Sequence, residues 1–113
     1  VSTFGAILWR EILDHDMSQS LFAKEVGHPV SFVNLIIHGH RTPPLERIEQ
    51  WADLLKLSGQ PRDRFLAMAA IAHLPDKIRV EFENLYDDHI QLREEYAELF
   101  AKYRSLNRAA DGE

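Results

Sequence analysis

Ser18-Gln19-Ser20-Leu21-Phe22-Ala23-Lys24-Glu25-Val26-Gly27-His28-Pro29-Val30-Ser31-Phe32-Val33-Asn34-Leu35-Ile36-Ile37-His38-Gly39 is the stretch on which the reading of this chain turns. Ser18 is of the type that caps a helix start by accepting from a free first-turn N–H. Gly27 and Gly39 are of the type that ends one in the left-handed conformation. Between these marks Phe22, Ala23 and Val26 form one apolar face. Val33 and Ile36 form a second, which leaves Val30, Ser31, Asn34, Leu35 and His38 on other sides. Ala23 is small enough to let the second helix pass close, and Gly27 supplies the bend. Two short helices joined by a tight turn follow.

Helical spacing continues outward in both directions. Phe4, Ile7, Leu8 and Ile12 predict a helix over residues 3–14. Thr42 before Pro43 and Pro44 reads as the cap and first turn of a helix reaching Lys56, with Leu45, Ile48, Trp51, Ala52 and Leu55 inward. After the break at Ser58-Gly59-Gln60-Pro61, Phe65, Met68, Ala69 and Ala72 predict a fifth helix over 62–73. No segment alternates as a half-buried strand does, so the expected fold is all-α.

Beyond Leu74-Pro75-Asp76 a helical pattern runs without Gly or Pro to about Arg108. Phe82, Leu85, His89, Leu92, Tyr96, Leu99, Tyr103 and Leu106 step by three and four, a heptad that predicts self-association as a coiled coil. Ring-bearing residues opposite the leucines leave parallel and antiparallel pairing both open, and a helix folded back on its own domain is the alternative. The expected organisation is therefore a five-helix domain in 1–74, a long oligomerisation helix in 75–108 and a frayed tail in 109–113.

The front segment resembles the lambda-repressor, Cro and Xre helix-turn-helix family over roughly residues 4–57. The resemblance rests on Ser18-Gln19 opening the second helix, Phe22-Ala23 within it, Gly27 at the turn, the pair Val33 and Ile36, Gly39 twelve residues after Gly27, and Arg41-Thr42-Pro43 before the fourth helix. It implies a third helix that enters the major groove of DNA, with the start of the second against the backbone. On that footing Gln19, Val30, Ser31, Asn34 and Leu35 are expected to face bases. Asn34 and Ser31 carry donors and acceptors, and Val30 and Leu35 suit thymine methyls. Ser18, His38, His40 and Arg41 are expected at phosphates. The third helix departs from the family in having no Lys or Arg and in its apolar character. A protein-interaction module, such as an antitoxin, anti-repressor or adaptor, is the alternative reading and leaves a protein partner open.

The bulk composition bounds these readings. The 113 residues carry a net charge of −5, which runs against a nucleic-acid binder until the charge is located. Residues 1–57 hold five basic and seven acidic side chains, whereas 76–113 hold six and ten. Acidity thus gathers in the tail, and binding is expected to be salt-sensitive and aided by two copies acting together. Lys24, Arg41 and Arg10 or Arg47 are expected beside the third helix. With no cysteine there is no disulfide framework or thiolate metal site. His38-x-His40 lacks an acidic partner at metal-site spacing, so no metal, no cofactor and no catalysis are expected. His89 in the seam would make a dimer pH-sensitive. The start does not read as a signal peptide and no apolar run would span a membrane, so the expected compartment is the cytoplasm. The expectation as a whole is a dimeric transcription regulator, a repressor of phage or mobile-element type, on a palindromic operator in double-stranded DNA.

Overall fold

The computed structural model describes residues 2–88, 94, 95, 97–99 and 101–104. Among them every regular element is helical: α1 (Thr3–Asp14), α2 (Gln19–Val26), α3 (Val30–Ile37), α4 (Ile48–Leu54), α5 (Gly59–Ile71) and α6 (Asp76–Asp88), with helical residues again within 94–104. The fold is all-α, as the periodicity predicts. α1 is capped by Ser2, whose hydroxyl oxygen accepts from Gly5 N–H at 2.9 Å. It buries Phe4, Leu8 and Ile12, which are the predicted stripe apart from the half-buried Ile7.

One core joins these helices. Leu8, Ile12, Phe22, Val33, Ile36, Ile48, Trp51, Phe65 and Met68 are all buried in it. Phe22 meets Trp51 edge-on at 5.4 Å and Phe4 packs on Phe65 at 5.1 Å, so rings tie the front helices to α4 and α5. α3 lies against α1 and α2, and α5 lies against α1, α4 and α6. α1 is therefore the partition between the front pair and the rear layer. Its approach to α3 is very close: a Cβ on Gly5 would collide with the Ile37 carbonyl oxygen and with Ser2 Oγ. Only glycine permits that crossing.

Two helix boundaries differ from the sequence expectation. α4 begins at Ile48 rather than at the prolines, because Arg47 N–H donates to Pro44 O (3.0 Å) and Ile48 N–H to Leu45 O (3.4 Å), an i−3 pattern that makes 45–47 a turn. Leu45, expected inward, is consequently 37% exposed. Conversely α5 begins at Gly59, and Pro61 falls within its first turn, where a missing N–H costs nothing.

The rear is a helical layer with two directions. α6 returns along α5, bringing Asp87 to Arg64 near the start of α5 (2.8 and 2.9 Å). The described residues among 94–104 follow α5 in the opposite direction to α6. Glu94 borders a groove with Gln60 and Asp63, Ala97 and Ala101 line a cavity with Leu66, Ala67 and Ala70, and Arg104 reaches Glu49 at the start of α4. The heptad residues that are described, Phe82, Leu85, Leu99 and Tyr103, lie on helical stretches that pack beside the chain's own α4 and α5. Apolar spacing gives a helix its face but not its partner, and here α5 takes part of that face.

Candidate nucleic-acid interface

The pair α2–α3 is built as its local chemistry requires. Ser18 Oγ accepts from Leu21 N–H at 3.0 Å, and Gly27 ends α2 at φ 76° with its N–H on the last turn. Gly39, at φ 79°, follows α3 in the same way. At about 100° per residue α3 turns Val33, Ile36 and Ile37 into the core, and all three are buried. Ser31, Asn34, Leu35 and His38 then occupy the opposite arc, with Val30 at its edge. All five are exposed. Val30 is 45% and Leu35 40% exposed, so these large apolar side chains stay outside the core.

The expected base-facing residues converge on this arc. Asn34 Nδ2 donates to Gln19 Oε1 at 3.4 Å, joining α3 to the first residue of α2 across fifteen positions. The bond leaves the Asn34 carbonyl oxygen and one N–H free in the same amide plane. Ser18, also expected at the interface, spends its oxygen lone pair on the cap and keeps its hydroxyl proton for a further acceptor. His38 and His40 follow the end of α3 and are exposed.

Arg41 stands beside α3 for a reason the sequence did not disclose. Its guanidinium lies 4.9 Å from the centre of the Phe32 ring, and His28 stacks on the same ring at 4.4 Å. His28 in turn meets Trp51 at 6.2 Å, which meets Phe22. A column of rings therefore runs from the core to the flank of α3 and holds a cation at its end. The i to i+4 spacing of His28 and Phe32 is the signal the sequence offers for their stacking.

Charge is divided between the two sides of the molecule. The four ion pairs among the described residues are Arg62–Asp53, Arg64–Asp87, Arg79–Asp76 and Arg104–Glu49. Each takes its arginine from α5, α6 or the run behind them. The hydrogen bond to Asp87 holds the Arg64 guanidinium even above its ordinary pKa range, so it stays charged throughout. None of these pairs engages Lys24, Arg41 or Arg47, which are exposed. Arg10, named with them as a candidate cation, instead lines the rear groove with Arg64, Tyr86 and Glu94.

The expected dimer seam is only partly within the described residues. His89, Leu92, Tyr96 and Leu106 lie outside them. Phe82 is half-buried against its own core, and Tyr86, which the heptad left out, is buried there. Leu85, Leu99 and Tyr103 are exposed, the last two at 62%. Among the described residues no group of three or more His, Asp or Glu side chains gathers at a metal-binding spacing, and no helix is long and apolar enough to cross a membrane.

Comparison with known proteins agrees with this geometry at the segment it concerns. Residues 9–60 match the family model described as helix-turn-helix, which takes in α2, the turn at Gly27, α3 and α4. No curated protein and no solved structure matches the chain. The family is one of DNA-binding regulators rather than of enzymes.

Proposed function

We propose, from the helix-turn-helix membership of residues 9–60, that this chain is a sequence-specific DNA-binding transcription regulator that represses from a palindromic operator as a dimer. The observation that carries the reading is the outward arc of α3. Five exposed side chains without a fixed charge stand there, three of them (Ser31, Asn34 and His38) able to both donate and accept, with Gln19 bonded to one and Arg41 fixed alongside. In this reading Val30, Ser31, Asn34 and Leu35 meet base edges in the major groove. Gln19 stands with them through its bond to Asn34, while Ser18, His38, His40 and Arg41 hold the register on phosphates.

Dimerisation is the second part of the proposal. A chain with a net charge of −5 has little electrostatic affinity to spare, and two linked reading heads raise the affinity without new contacts. What supports a rear interface is the exposed apolar set Ile78, Val80, Leu85, Leu99 and Tyr103. The acidic side chains of α6 then stand in the layer that packs on α5, apart from the α2–α3 pair, where they do least harm to phosphate binding.

Fluorescence anisotropy with a mixed-sequence pool of duplexes, titrated from low to moderate salt, tests the proposal. Binding that weakens steeply with salt is expected, and Arg41→Ala lowers the slope by about one. A chain that ignores duplex DNA at low ionic strength contradicts it. Sedimentation of the full chain reads the dimer separately.

A further inference from the structure

Resting on the DNA-binding reading above, we infer that the half-site read by α3 is built on consecutive A·T pairs, with Asn34, set by Gln19, as the adenine-reading residue. Three observations carry this. First, the exposed arc of α3 contains no cation, and the nearest arginine, Arg41, is drawn onto the Phe32 ring at the helix flank. The bidentate arginine contact to guanine therefore has no side chain in place to make it.

Second, the Gln19 contact fixes which edge Asn34 shows. Its Nδ2 gives one proton to Gln19 Oε1. The other proton and Oδ1 share the amide plane and offer a donor and an acceptor. Adenine presents the matching order in the major groove, with N6–H₂ donating and N7 accepting. Guanine presents two acceptors to the same amide and leaves Oδ1 without a donor. Gln19 is accordingly a positioning residue for the reading head as well as a neighbour of the backbone.

Third, the remaining large side chains of the arc are apolar. Val30 lies one turn before Asn34 on its side of the helix, and Leu35 lies one turn after Ser31 on the other. Both are exposed at a cost that burial against a methyl group repays. Thymine carries the one methyl group that the major groove offers. An adenine clamp between two methyl-seeking side chains selects neighbouring A·T pairs over an isolated one.

The experiment is selection of duplexes from a random library by the full chain at low ionic strength, followed by titration of the winning duplex and its analogues. The expected half-site contains at least two adjacent A·T pairs. Deoxyuridine in place of thymidine there weakens binding about three- to fivefold per methyl, and Leu35→Ala or Val30→Ala abolishes that sensitivity at one position. Asn34→Ala lowers discrimination against G·C about tenfold or more. Gln19→Ala loses most of the same discrimination. Gln19→Glu, which keeps the acceptor, retains it while lowering overall affinity. A winning half-site whose strongest positions are G·C, or one indifferent to deoxyuridine, overturns the inference and leaves DNA binding standing. Absence of any enriched or bound duplex overturns both. Circular dichroism melts of each variant, at exposed positions apart from the half-buried Gln19, separate loss of reading from loss of fold.

Discussion

The two sides of α1 use the same residue types to opposite ends. Behind it, in α5, α6 and residues 94–104, arginines meet carboxylates at every ion pair among the described residues, and alanines let helices lie close. In front of it, Lys24 on α2 and Arg41 and Arg47 in the segment after α3 have no carboxylate partner among the described residues, and α2 and α3 turn polar and apolar side chains alike outward. The rear pairs its arginines within the chain, whereas the front is left with unpaired cations and unspent hydrogen-bonding capacity; exposed apolar side chains occur on both sides. That difference, more than net charge, is what the proposed reading assigns to the DNA-facing side.

The harshest way to break the contrast is at the partition. Gly5→Ala drives a methyl into the Ile37 carbonyl and must part α1 from α3. A loss on the order of 3 kcal/mol in urea unfolding is expected, and it should abolish DNA binding through the fold. Next comes the reading face itself. Asn34→Ala should leave stability within about 0.5 kcal/mol, since the side chain is exposed and its 3.4 Å bond is weak. Competition between the selected duplex and a scrambled one should nevertheless show about 2 kcal/mol less discrimination.

Smaller effects sharpen the comparison further. Arg41→Ala is expected to weaken all sequences by a similar factor, and Phe32→Leu should do so in part, because the ring that seats the guanidinium is gone. A salt titration of each distinguishes them, with Phe32→Leu keeping the wild-type slope. The smallest effects belong to the rear. Arg64→Ala or Arg104→Ala should cost less than about 1 kcal/mol in thermal unfolding, since both pairs are partly exposed and screened. Neither should alter base preference.

Much of the front was legible because its signals are local. Ser18, Gly27 and Gly39 each act through their own turn, and Phe22, Val33 and Ile36 declare their faces by spacing alone. The residues that escaped act over distance. Gly5 matters only where Ile37 crosses it, and Gln19 meets Asn34 fifteen residues away. Phe32 reads as a half-buried helix residue until Arg41 is seen above it. Pro43-Pro44 suggested a helix start, yet the chain made a turn first, a choice between two conformations that proline permits equally. At the rear the period was read correctly as helical, but a heptad does not say whether its partner is another chain or α5.

The account rests on α3 and the start of α2 being the surface that touches DNA. The most direct test is a backbone amide NMR titration of the full chain with its selected duplex. Perturbations concentrated at residues 18–19 and 30–41, with α5 and α6 unmoved apart from effects of association, are predicted. Shifts centred on the rear helices, or none at saturating duplex, would contradict it.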